Sequence, residues 1–126
     1  RYGPASPSFA RATLVRNKST RYFFVSGTAS IVGHESLHSG NVGAQLDTLL
    51  INIQRLLEHT ARRHAMSIGV DNINLAKVYI RQPADFQQIQ TALQKFLPAS
   101  TAVLYLQADI CREELGVEVE LICALE

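Results

Sequence analysis

The chain has 126 residues, with 12 Lys and Arg against 11 Asp and Glu, 47% apolar and 18% charged residues, and a formal net charge of +1. That length suits one domain that buries a core without metal or disulfide support, and the composition excludes a disordered tail. The balanced charge gives no electrostatic footprint for DNA or an anionic membrane, and no apolar run approaches the ~20 residues of a bilayer span.

Residues 1 to 8, punctuated by Gly3, Pro4 and Pro7, read as a loop. They hold neither an initiating Met nor the apolar stretch of a signal peptide, so a piece of a longer protein is expected. A strand is predicted over Ala10 to Val15 and a second over Tyr22 to Val25, where aromatic and β-branched residues cluster. The polar run Arg16 to Thr20 joins them as a hairpin. Residues 28 to 40 read as a loop with a short extended piece at Ala29 to Val32.

A helix is predicted from about Asn41 to His64. Leu46, Leu49, Leu50, Ile53, Leu56, Leu57 and Ala61 recur at helical spacing, and Asn41 is the N-cap. Gln45, Thr48, Asn52, Arg55, Glu58 and Arg62 occupy its polar face. Ile73 to Arg81 alternates as a strand, with Lys77, Tyr79 and Arg81 on one side. Pro83 opens a second helix with the stripe Phe86, Ile89, Leu93, Phe96 and Leu97, and Pro98 stops it. Thr101 to Asp109 is the next strand, read with Leu104 and Leu106 inward and Tyr105, Gln107 and Asp109 outward. Leu115 to Ala124 is the last, with Val117, Val119 and Leu121 inward and Glu118 and Glu120 outward. The order β-β-α-β-α-β-β predicts an α+β domain with two helices on one face of a mixed sheet.

The outward face then gathers Lys77, Tyr79, Arg81, Tyr105, Gln107, Glu118 and Glu120. Two readings stand: a solvated face, or a subunit interface holding a polar pocket. Glu118 and Glu120 lie about 7 Å apart by strand rise; such a pair suits acid–base chemistry or is simply exposed. His34, His38, His59 and His64 lack ligand spacing, so no metal site is expected. Ser26, Ser30 and Ser36 show no His and Asp partners for a triad. Cys111 and Cys123 match no zinc or redox spacing and read as reduced thiols of a cytoplasmic protein. Beside Arg112, Cys111 is either an activated thiol or a small buried residue.

Phe24-Val25-Ser26-Gly27-Thr28-Ala29 with Gly40-Asn41-Val42-Gly43-Ala44-Gln45 resembles the YjgF family of enamine/imine deaminases. Val78-Tyr79-Ile80-Arg81, Pro83-Ala84-Asp85-Phe86 and Val117-Glu118-Val119-Glu120 extend that resemblance over nearly the whole chain. It implies a chorismate-mutase-like (YjgF) fold, a homotrimer and pockets between subunits. A narrower resemblance runs through the stretch from Ser26 to Ser36, Arg1-Tyr2-Gly3-Pro4, the stretch from Ser6 to Ala12, and Asp109-Ile110-Cys111-Arg112 with Leu115. These segments resemble the C-terminal half of chorismatases, also labelled pteridine-dependent dioxygenase-like proteins. That resemblance implies a single YjgF-like domain over residues 1–126, as the second half of a longer enzyme.

For function, the chorismatase resemblance implies cleavage of the enolpyruvyl ether of chorismate, without a cofactor, to pyruvate and either a hydroxybenzoate or a dihydroxycyclohexadiene carboxylate. It gives the acid role to Glu118 and places Cys111 beside the substrate ring in the hydroxybenzoate branch. Arg81 and Arg112 are candidates for the substrate carboxylates, since a guanidinium binds them bidentately. Tyr79 or Tyr105 would line the pocket, and Ser26 and Gly27 its floor. Pro98-Ala99-Ser100-Thr101 lacks the arginine with which the deaminases hold their substrate, which counts against simple imine deamination. A YjgF-type deaminase and a non-catalytic metabolite-binding trimer are the competing readings. Assays of pyruvate from chorismate and of ammonia from 2-aminoacrylate separate the three. An RNA-cleaving role lacks a basic stripe with stacking aromatics, and neither nucleic acid nor membrane is an expected partner.

Overall fold

In the computed structural model the described residues are 12–17, 20–28, 31–32, 35–36, 40–110 and 115–125. Strands β1 (Ala12–Asn17) and β2 (Thr20–Thr28) form an antiparallel hairpin. Two short strands, β3 (Ile31–Val32) and β4 (Glu35–Ser36), pair with each other. Helix α1 (Val42–Arg63), strand β5 (Ile73–Ile80), helix α2 (Phe86–Phe96), strand β6 (Ala102–Gln107) and strand β7 (Val117–Leu125) complete the chain. The main sheet runs β1-β2-β7-β5-β6. Among the described strands only β5 and β6 pair in parallel, and α2 supplies the crossover that such a pair needs.

Local chemistry sets the boundaries of α1. Gly40 takes a positive φ of 74° just before the helix, a conformation that suits glycine. Asn41 then caps it, its Oδ1 accepting the Ala44 N–H at 3.0 Å. Arg62 and Arg63 sit in the last turn, where cations complement the helix dipole. Leu46, Leu49, Ile53 and Leu57 of α1 and Ile89 and Leu93 of α2 are buried in one core with Val78, Ile80, Val117, Val119 and Leu121 of the sheet. Each such side chain contributes about 1.5–3 kcal/mol by leaving water. Among the described residues no helix is long and apolar enough to cross a membrane.

β7 lies at the sheet centre, antiparallel to both β2 and β5. Its burial alternates without a break, so Val117, Val119, Leu121, Cys123 and Leu125 face the helices. Glu118, Glu120, Ile122 and Ala124 thus face the open side.

Two expectations fail here. Gln45 is not on the polar face of α1: it is 1% exposed, because its amide meets the start of β7, where Oε1 accepts the Gly116 N–H at 2.8 Å. The faces of β6 are also reversed. Parallel pairing sets Tyr105 opposite the buried Val78, and Leu104 and Leu106 opposite Lys77 and Tyr79. Val103 and Tyr105 therefore pack against the core, while Leu104 and Leu106 join Val15 and Phe24 as exposed apolar residues of the open face.

Candidate functional site

β5 and β7 bring the open-face polar residues together through their register, Tyr79 opposite Glu118 and Lys77 opposite Glu120. The Tyr79 hydroxyl donates to Glu120 Oε1 rather than to the glutamate opposite it. That bond and, secondarily, desolvation and the nearby carboxylates push the Tyr79 phenol above its ordinary pKa. Glu118 is half-buried; first desolvation, then the negative charge of Glu120, raises its carboxyl above the usual carboxylate range. The site thus holds a carboxyl biased toward its protonated form beside a second carboxylate already engaged by a phenol.

β2 borders this pair in an irregular way. Val25 pairs with Leu121 and Thr28 with Val119, so Ser26 and Gly27 together lie opposite Glu120. This is a β-bulge, a feature common beside active sites because it re-aims the backbone. The main chain of Ser26 and Gly27 therefore runs beside Glu120. Next to it is a cavity of about 340 Å³, lined by residues including Phe24, Leu75, Lys77, Glu120 and Ile122. Glu120 and Lys77 face this cavity; Glu118 lies outside its lining. Alternation along β5 already placed Lys77 on this face; that it stands opposite Glu120 comes only from the pairing of β5 with β7, about 40 residues along the chain.

Of the other candidates, Arg81 lies just beyond β5, and its side chain is 20% exposed. Its Nε donates to the Leu115 carbonyl at 2.9 Å and its Nη2 to the Ile110 carbonyl at 2.7 Å. Its Nη1 is 3.7 Å from the fully exposed carboxylate of Asp109, an ion pair of little worth in water. Tyr105 is not on this face. Its ring stands edge-on to Phe86 at 5.0 Å, and burial raises its phenol pKa; the structure therefore separates it from Glu118 and removes it from the pocket. Cys111 and Arg112 lie outside the described residues. Among the described residues no group of three or more His, Cys, Asp or Glu is placed to hold a metal ion.

No family model matches the chain. Among curated proteins it is 36% identical over 122 residues to a chorismatase of Streptomyces hygroscopicus, covering 94% of this chain and 36% of that protein. It is 34% identical over 127 residues to a 3-hydroxybenzoate synthase of the same species, covering 95% of this chain and 37% of that protein. The chain thus spans a little over a third of the length of these relatives. A crystal structure of a chorismatase superposes with a TM-score of 0.85 at 35% identity, over 97% of this chain and 38% of the other. A member of the YjgF protein family from Neisseria meningitidis superposes over the full chain and 94% of its own, with a TM-score of 0.72 at 17% identity. At that identity the likeness speaks for the fold.

Proposed function

We propose that this chain, which has a YjgF-like fold and is related to the chorismatases, carries the acid that cleaves the enolpyruvyl ether of chorismate. The observation that carries this reading is Glu118. It is a half-buried carboxyl at the sheet centre, with Glu120 beside it and its own protonated form favoured. A general acid must hold its proton near neutral pH, and burial with a neighbouring carboxylate is the arrangement that achieves this.

In the proposed reaction Glu118 delivers a proton to the methylene of the enolpyruvyl group, and the ether carbon becomes an oxocarbenium ion. Water adds to that cation and the hemiketal collapses, breaking the bond between its carbon and the ring oxygen, which takes up a proton, to give pyruvate and a dihydroxycyclohexadiene carboxylate. In the other branch the neighbouring ring hydroxyl attacks the ring carbon that bears the ether, the ring C–O bond breaks, and pyruvate leaves with that oxygen. The hydroxyl proton returns to Glu118, and the resulting epoxide opens with loss of a ring proton to a hydroxybenzoate. The likeness to a 3-hydroxybenzoate synthase and the presence of Cys111 favour the second branch. The Tyr79 hydroxyl holds the direction of Glu120, and Glu120 adds to the desolvation that raises the Glu118 carboxyl. The bulged backbone at Ser26 and Gly27 offers close approach to a flat ring, and Arg112 is assigned to a substrate carboxylate. Neither metal nor redox cofactor enters this scheme.

The open face, with Val15 41%, Phe24 40%, Leu104 47% and Leu106 38% exposed, suits burial against neighbouring copies in a homotrimer, and the two thiols suit a reducing cytoplasm. The test is incubation of the purified protein with chorismate and enzymatic detection of pyruvate, with chromatography of the aromatic product. Pyruvate with 3-hydroxybenzoate supports the reading. No pyruvate, together with ammonia release from 2-aminoacrylate, replaces it with the deaminase.

A further inference from the structure

We infer that Arg81 and Gln45 are positioning residues that clamp the backbone at Leu115 and Gly116 and so set the aim of Glu118 on β7. The inference rests on the proposed role of Glu118 as the acid of the site.

Three of the main-chain polar groups at this point have partners on one of the two residues. The Leu115 carbonyl accepts from Arg81 Nε. The Gly116 carbonyl accepts from the Arg81 main-chain N–H at 3.1 Å. The Gly116 N–H donates to Gln45 Oε1 at 2.8 Å. Arg81 also reaches the Ile110 carbonyl, so one planar guanidinium bridges two carbonyls on either side of residues 111–114. A lysine ammonium has no such rigid fork. Ile110 and Leu115 are buried together in a small cluster apart from the main core.

Gly116 is also held sterically. A Cβ built there would stand 2.5 Å from Val42 Cγ2 on α1. The backbone therefore lies tight against the helix here, and β7 begins at the next residue. Glu118 follows directly, so a shift at Gly116 is carried to its carboxyl. Gln45 is 1% exposed and lies on the helix side of the sheet, so it acts on Glu118 only through this backbone. Among the described residues, the other titratable or charged groups on the open face are Glu120 on β7, Lys77 and Tyr79 on β5, and Tyr22 on β2; β6 presents Leu104 and Leu106 there.

The experiment compares wild type with Arg81→Lys, Arg81→Met and Gln45→Met in the intact protein. It measures kcat and KM for chorismate, and follows the Glu118 carboxyl by 13C NMR across pH. The expected result in Arg81→Lys and Gln45→Met is a fall in kcat of about 10–100-fold, the scale of a misplaced catalytic group. KM should change less than about threefold, and the Glu118 midpoint should move down toward the ordinary carboxylate value as water reaches it. A raised KM at unchanged kcat in the Arg81 variants would instead assign the guanidinium to substrate and overturn the inference. Wild-type kcat and midpoint in Gln45→Met would overturn it as well. If wild type does not turn over chorismate, the substrate reading fails by itself. The midpoints then decide: a downward shift in both mild variants supports the clamp, and unchanged midpoints refute it. Should Arg81→Met not fold, the other two variants carry the comparison.

Discussion

Glu118 shows how one side chain acquires chemistry from its surroundings. Its carboxyl is raised by desolvation first and by Glu120 second, so each cause can be removed separately. On the proposed reading, Glu118→Gln should lower chorismate turnover by about 10²–10⁴-fold, the usual share of a positioned acid, while circular dichroism stays that of wild type. On the same reading, Glu120→Gln should keep the proposed acid and lower its pKa. The alkaline limb of its kcat/KM profile should then fall at lower pH than in wild type. Linkage gives a third expectation. A carboxyl whose folded pKa lies above its unfolded value stabilises the fold at low pH, and that contribution is lost as pH rises through the folded pKa. Glu118→Gln should therefore be at least as stable as wild type at pH 8 and lose any such advantage near pH 4, as urea midpoints at both values will show. Strict alternation along β7 made Glu118 and Glu120 legible in the sequence. Gln45 was not, because a glutamine at a helical position looks solvated until the strand that it meets is known. The same holds for Arg81, whose carbonyl partners lie about 30 residues along the chain.

At the scale of elements, α1 and β7 depend on each other at their ends. Asn41→Ala removes the cap of α1 and should cost about 1 kcal/mol, a fall in Tm of about 3–5 °C for a chain of this size, measurable by calorimetry. Gly116→Ala should cost about 1–3 kcal/mol by overpacking against Val42. Val42→Ala should relieve part of that loss, and a double-mutant cycle in urea would report the coupling directly. Most elements could be read from periodicity: α1 begins where Asn41 caps it, and α2 ends before Pro98. β6 shows the limit of that reading. Ala102, Leu104 and Leu106 alternate with Val103, Tyr105 and Gln107, so both faces carry apolar residues and the pattern has no unique direction. Parallel pairing with β5, absent from local sequence, settles it in favour of Val103 and Tyr105.

For the whole molecule, the sheet is covered by helices on one side and studded with exposed apolar groups on the other. If the proposed trimer buries this face, Leu104→Glu with Leu106→Glu should leave the helix-covered core folded but shift the sedimentation coefficient to that of the free chain, with the proposed turnover falling in parallel. An unchanged sedimentation coefficient would mean that the face needs no neighbour. Cys123 gives a second view of the same architecture. It is fully buried in the central strand between Phe23 and Ile73, and burial pushes its thiol up to about 11. At pH 8 the folded protein offers an alkylating reagent almost no thiolate at this position, whereas the opened chain offers the ordinary reactive sulfur. In a Cys111→Ser background, iodoacetamide incorporation would therefore act as a slow clock, each modified molecule recording one excursion in which the middle of the sheet came apart.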